Sequence, residues 1–270
     1  YNKNNKLIEK KDIYKIFNSV NMRTTIPHLN LYRLSMIHTS YCKNNSVKYM
    51  TKITKKEVIL DSCPTGIMDM FNDTNERLEF LGDSILGSII SHYVFLRFPE
   101  QAEGFMTKIK IKLVNSKALA QFSKYIGLQP YLLISDHVEE KCDGRNSVKI
   151  LEDTFEAFIG AMFLTENERN NSGYMLCEKF IISILETFID FEDLILNDTN
   201  YKDQLLRYYQ AQYQITPKYV MLEETGAANR KIFKMGVLDQ YGKVFTYDTA
   251  SSKKEAEQKA SKLALDKLTK

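Results

Sequence analysis

The sequence predicts an all-helical domain followed by a small α-β-β-β-α domain. Three observations carry this reading: long stretches before residue 190 repeat their apolar residues every three or four positions, a two-residue alternation takes over beyond residue 200, and the charge balance shifts at the same place. With 270 residues, 44% of them apolar, the chain has enough material for two packed cores. From Asp198 to Lys270 there are 13 Lys or Arg against 9 Asp or Glu, an excess of +4, whereas the preceding residues hold 24 against 25. A basic tail behind a near-neutral front points to a polyanion as the tail's partner.

The elements follow in order. Leu7 to Tyr41 is broadly helical, broken at Pro27, with a second helix expected over Leu31 to His38. Residues 42–75 mix Lys43, Lys48, Lys52, Lys55 and Lys56 with the turn formers Asn44, Asn45, Pro64 and Gly66. They read as a long inserted loop, either a plain surface excursion or a segment that touches nucleic acid. Helices are expected near Glu76–Phe95, Gly104–Ile126, Ile150–Leu164 and Tyr174–Asp190, with a loop over Ser135–Ser147. Phe191 to Asn200 is the expected linker, which sets the domains at 1–193 and 198–270. Beyond it come a helix over Tyr201–Tyr213 and strands at Lys218–Glu224, Ile232–Asp239 and Val244–Thr249. A last helix opens at Ser252, spaced from Glu255 as in a capping box, with Ala256, Ala260, Leu263 and Ala264 as its buried face.

Two of these helices carry acids where acids are costly. Glu76, Glu79 and Asp83 fall three and four residues apart, on one stripe of a helix whose other directions hold Leu78, Phe80, Leu81, Ile85, Leu86, Ile89 and Ile90. Asp153 and Glu156 repeat the pattern among Phe155, Phe158, Ile159 and Met162. Gly82, Gly160, Ala157 and Ala161 are small enough for the two helices to pack closely. That packing would gather Glu79, Asp83, Asp153 and Glu156 into one cluster, unneutralised by any protein cation. Like charges in a poorly solvated pocket must take up protons or recruit cations. Oxygen ligands without His or Cys favour Mg²⁺ or Mn²⁺, and paired divalent ions suit phosphodiester hydrolysis. Spacing alone leaves a solvated or ion-paired helix face standing beside this reading.

Glu76-Arg77-Leu78-Glu79-Phe80-Leu81-Gly82-Asp83-Ser84 resembles the signature of the ribonuclease III family. Asp153 to Ala161 resembles that family's second acidic motif, Ile37 to Tyr41 its upstream helix, and Leu113 to Ala120 the helix between the acidic motifs. The resemblance implies a helical nuclease domain that cuts double-stranded RNA with Mg²⁺, Mn²⁺ being able to substitute. It assigns Glu79, Asp83, Asp153 and Glu156 as catalytic, metal-binding carboxylates and Glu76 as a supporting acid. It further implies a homodimer in which each subunit cuts one strand, leaving 5′-phosphate, 3′-hydroxyl and a short 3′ overhang. Glu152 is an extra acid where the family often has a small residue, and the 42–75 insertion is a second departure.

The tail resembles the double-stranded-RNA-binding domain that follows many such nucleases. Gly226 to Phe233 is similar to its loop between the first two strands, and Ser252 to Gln258 to the start of its last helix. The RNA-binding residues implied are Asn229, Arg230 and Lys231 in the loop, and Ser252, Lys253 and Lys254 at the helix N-terminus. There, formal charge adds to the helix dipole and free N–H groups to hold phosphates. Leu206-Arg207 replaces the family's Gln-Glu, leaving Gln204 and Gln210 as 2′-hydroxyl partners.

A catalytically silent RNA-binding scaffold is the rival reading, and the presence of all four acids weighs against it. A helical di-iron oxidase would need Glu-x-x-His motifs that the chain lacks. The four cysteines show no close pairing, and no stretch reaches the roughly 18 apolar residues of a membrane span. The expectation is therefore a soluble intracellular protein, cytoplasmic or nuclear, with no membrane partner. The start at Tyr1 without an initiator Met suggests a trimmed chain.

Overall fold

Pro27 and a series of polar caps divide the first part of the chain into helices whose apolar faces converge. The computed structural model describes residues 1–56, 58–196, 200–226 and 231–269. They form two compact units, Tyr1–Leu194 and Ile195–Lys270. Among the described residues no helix is long and apolar enough to cross a membrane.

In the first unit, α1 (Lys10–Ser19) buries Ile13, Ile16 and Phe17, and Glu9 and Asp12 cap its first turn reciprocally. After Pro27 come α2 (Leu29–Ser35) and a 3₁₀ turn over Thr39–Tyr41. The inserted segment departs from expectation, because Lys43–Thr54 is a helix, α3. Asn44 and Asn45 fall in its first turn, where they cost little, and Lys55 ends it in the left-handed region at φ 54°. The two acid-bearing helices are α4 (Glu76–Arg97) and, further on, α8 (Val148–Asn170).

Between them, the single helix expected over Gly104–Ile126 is two: α5 (Glu103–Val114) and α6 (Ser116–Tyr125). Asn115 separates them with an extended backbone, and its side chain accepts from the Ala118 N–H at 3.1 Å, an N-cap inside an apolar run. The interval read as a loop holds α7 (Asp136–Cys142), capped by Ser135, and a 3₁₀ turn over Gly144–Asn146. The unit closes with α9 (Gly173–Phe188) and the first four residues of α10 (Phe191–Leu196), a helix inside the expected linker. Asn197, Asp198 and Thr199 of that linker lie outside the described residues.

The helix α8 runs through the centre of the core: Leu151, Phe155, Phe158, Ile159 and Met162 are all essentially inaccessible. Phe158 packs against Phe17, Tyr32 and Phe180 with ring centroids 5.3–6.5 Å apart. Rings at this spacing contribute attraction beyond the burial of their area.

In the second unit α11 (Tyr201–Tyr213) and α12 (Lys253–Leu268) flank an antiparallel sheet of β1 (Tyr219–Thr225), β2 (Ile232–Leu238) and β3 (Val244–Ala250), in that spatial order. Gly242, at φ 81°, turns the chain between β2 and β3. Ala256, Ala260 and Ala264 are fully buried, so the α12 backbone lies close over the sheet. Leu263, expected on that face, is 39% exposed, since the alanine stripe leaves it turned towards solvent. Tyr209 donates to the Leu238 carbonyl at 3.1 Å, and Thr246 donates to that of Ala260 at 2.8 Å, so these core hydroxyls are satisfied.

Candidate metal centre

Where α4 and α8 cross, backbone meets backbone. A Cβ on Gly82 would stand 1.8 Å from the carbonyl oxygen of Glu156, and one on Gly160 would stand 2.3 Å from that of Leu78. Hydrogen alone fits at both positions, and Ala157 and Ala161 beside them are fully buried. The close crossing expected from the small residues is therefore present, and it brings the two acidic stripes together.

Glu79, Asp153 and Glu156 each turn a carboxylate oxygen into one cluster, with those oxygens within 4.8 Å of one another. Glu156 is buried and the other two are half-buried. Asp83, one turn beyond Glu79, is exposed and lies outside this trio, yet its charge acts on Glu156. Glu76 is exposed at the start of α4, where it accepts from the Thr74 hydroxyl at 2.8 Å.

One expectation fails at this point: the cluster has a protein counterion. Lys149 Nζ stands 2.6 Å from Asp153 Oδ1, a charge contact without hydrogen-bond geometry, and 3.7 and 3.8 Å from Glu152 and Glu79. The signal was in the sequence, because Lys149 precedes Asp153 by four residues on the same helix, the spacing of a helical ion pair. It also gives Glu152 a partner.

The ammonium leaves much of the repulsion in place. Burial, then the Asp83 charge, pushes the Glu156 carboxyl up to about 8. Burial, then Asp153, raises Glu79 as well. Contact with Asp153 holds the Lys149 ammonium above its ordinary value. His38 borders the same charges: burial lowers it, opposed by Asp153 and Glu76, and its Nδ1 faces the Ser40 hydroxyl at 2.9 Å. Its side chain is half-buried.

Three hard oxygen donors, one of them resisting ionisation, fit a divalent cation such as Mg²⁺ or Mn²⁺. Lys149→Met is expected to lower the melting temperature in EDTA by roughly 2–4 °C, the shift for about 1 kcal/mol in a domain of this size. Saturating Mg²⁺ should close most of that gap, and an equal loss with and without the ion would show that Lys149 does not share its place.

In the second unit the predicted RNA-binding residues fall at three positions. Ser252 caps α12, its hydroxyl accepting from the Glu255 N–H at 3.2 Å. Glu255 turns its carboxylate to the Ser251 hydroxyl, so only the serine half of the expected capping box forms. Lys253 and Lys254 are exposed on the first turn, and neither forms an ion pair among the described residues. Lys253 lies over the Phe233 ring at 5.6 Å, which ties this helix end to the start of β2. Lys231 is there too, paired with Glu224 at 2.6 Å. Gln204 is half-buried and Gln210 exposed on α11. Asn229 and Arg230 lie outside the described residues.

Comparison with known proteins gives concordant findings. A model of the ribonuclease III domain matches residues 76–167, and one of the double-stranded RNA binding motif matches 201–268. A "Ribonuclease 3" of Chlorobium chlorochromatii is 36% identical over 224 residues, covering 83% of this chain and 85% of that protein. A "Probable ribonuclease 3" of Acanthamoeba polyphaga mimivirus is 34% identical and covers 97% of this chain, which spans about half (46%) of that relative's length. A crystal structure of a ribonuclease III nuclease domain from Campylobacter jejuni is 27% identical, with a TM-score of 0.47, covering 67% of this chain and 99% of its own.

Proposed function

The chain belongs to the ribonuclease III family of endoribonucleases, and from that premise we propose that it hydrolyses phosphodiester bonds of double-stranded RNA at the carboxylate cluster between α4 and α8. The observation that carries the reading is the convergence of Glu79, Asp153 and Glu156 from two separate motifs. The catalytic domain is assigned to 1–193 and the duplex-binding domain to 198–270.

Glu79, Asp153 and Glu156, with Asp83 at their margin, would hold divalent ions, which when bound would supply activation of water and stabilisation of the departing 3′ oxygen of the cleaved strand. Glu156 must lose its proton to serve as a ligand, so binding of the ion and ionisation of Glu156 are one linked event. Lys149 lowers the repulsion among the acids until then and has 68% of its side chain exposed, so it is free to swing outward. Glu76 adds negative charge beside His38 at the rim. Lys253 and Lys254 supply phosphate contacts that read A-form shape rather than sequence.

A homodimer with one strand cut per subunit is supported by the outer face of α4. Phe80 is 79% exposed within the signature motif, and Ser84, Ser88 and Ser91 continue its stripe to Phe95, 62% exposed. A large ring left in water above small residues is a surface that a second copy fills in an isologous contact. The expected result is that a long RNA duplex is cut only with Mg²⁺ or Mn²⁺, while single-stranded RNA and duplex DNA survive. Product ends should carry 5′-phosphate and 3′-hydroxyl with a short 3′ overhang. Binding of the duplex without any cutting would favour the silent scaffold instead.

A further inference from the structure

The inserted helix α3 and the two residues after it hold five lysines and no acid over 43–56. Among the described residues only Lys43 is paired, with Asp69 at 2.7 Å. Lys48, Lys52, Lys55 and Lys56 are exposed and form no ion pair among the described residues. Some exposed helical cations elsewhere do have acids within reach, as Lys259 has Glu255 and Arg207 has Asp203. The helix buries no residue, and Tyr49, Met50 and Ile53 are 63%, 41% and 58% exposed. Lys48 and Lys52 lie one turn apart, and Tyr49 and Ile53 form the adjoining stripe. A folded helix that fully buries none of its residues and gathers one sign of charge has a face suited to a partner outside the chain.

Its root lies close to the acidic helix. The helix is held at its first turn, where the Lys43 N–H donates to the Phe71 carbonyl at 2.8 Å and the Cys42 thiol to that of Asn72. It packs against the 3₁₀ turn that His38 caps, and His38 feels the charges of Asp153 and Glu76. The Asn75 N–H, one residue before α4, donates to the Ile37 carbonyl at 2.9 Å, so the same few residues join this root to the acidic helix. Twelve residues of helix reach about 18 Å. The lysines are thus carried on an arm that starts at the rim of the metal centre.

We propose that α3 is a second grip on double-stranded RNA, in which Lys48, Lys52, Lys55 and Lys56 contact phosphates flanking the scissile bond. This rests on the reading of duplex RNA as substrate. Charge complementarity to a polyanion and the position of the root favour RNA over an anionic membrane, for which three adjoining apolar side chains make a small face.

The test is the quadruple Lys48→Gln, Lys52→Gln, Lys55→Gln, Lys56→Gln variant, beside Lys253→Gln/Lys254→Gln and a quadruple Lys→Arg control. Binding of a labelled RNA duplex of about 20 base pairs is measured in EDTA across a salt series. The Gln quadruple is expected to bind roughly tenfold or more weakly at physiological salt, with a dependence on log salt that is shallower by about one unit for each phosphate no longer neutralised. The Arg control should bind as the wild type does. Unaltered helical content and melting temperature confirm the fold, and Lys48→Glu/Lys52→Glu, expected to weaken binding further, repeats the test with fewer changes. Wild-type affinity in the Gln quadruple, with binding still dependent on Lys253 and Lys254, would overturn the arm while leaving the substrate assignment intact. No duplex binding by the wild type would overturn both. Loss of binding to phosphatidylserine vesicles with RNA affinity unchanged would replace RNA with a membrane surface.

Discussion

A Glu156→Gln protein is expected to cut duplex RNA at least about a thousandfold more slowly in saturating Mg²⁺ while binding the duplex as the wild type does. The amide keeps the shape of the side chain but donates where a ligand must accept. Stability should move the other way. In the folded, metal-free protein burial and Asp83 hold the Glu156 carboxyl at about 8, far above its unfolded value. For a carboxyl raised in this way, the stabilising contribution is complete below pH about 4 and disappears as pH rises through about 8. In EDTA the wild type should therefore lose a few kcal/mol relative to Glu156→Gln between pH 5 and pH 9. Thermal melts at the two pH values read this directly, and Mg²⁺ should restore the wild type at pH 9. Parallel pH profiles for the two proteins would mean that Glu156 is not strained, and retained cleavage would remove it from the metal centre.

Gly82→Ala is expected to be the most damaging single methyl in the chain. Its Cβ would stand 1.8 Å from the Glu156 carbonyl oxygen, 2.6 Å from the carbonyl carbon and 2.9 Å from the Gly160 nitrogen, all of them main-chain atoms that no rotamer change can move. The helices must separate, which costs several kcal/mol or prevents folding. Gly104→Ala, at an exposed helical position where the new carbon meets nothing within 4 Å, should instead be neutral or gain up to about 1 kcal/mol. Chemical denaturation of the two variants side by side measures the contrast. Similar midpoints would refute the tight crossing.

The fold and the candidate carboxylate cluster were legible in the sequence wherever periodicity and residue size act together. The acids at 79, 153 and 156 sat among apolar residues at helical spacing, and Gly82 and Gly160 announced a close crossing. The α-β-β-β-α order followed from a change of period; the first helix and the three strands begin and end within a residue of their expected limits, and the last helix begins within one. What escaped was decided by single polar side chains. Asn115 lies in an apolar run that looks continuous, and only its cap on Ala118 divides α5 from α6. Asn44 and Asn45 read as turn formers because their cost in the first turn of a helix is small, a fact invisible until the start of α3 is known. Lys149 was masked by the acids that surround it, although its spacing from Asp153 was plain. Leu263 was assigned to a buried face that the alanines fill without it.

The contact of main chain on main chain between α4 and α8 bears on how such a protein can vary. Because the separation of the acidic oxygens is dictated by peptide groups touching at two glycines, drift in the surrounding leucines, isoleucines and phenylalanines can loosen or tighten the interior without retuning the pocket. Two positions without a side chain thus insulate the chemistry from most of the neighbouring sequence, and leave those two as the points where mutational tolerance ends.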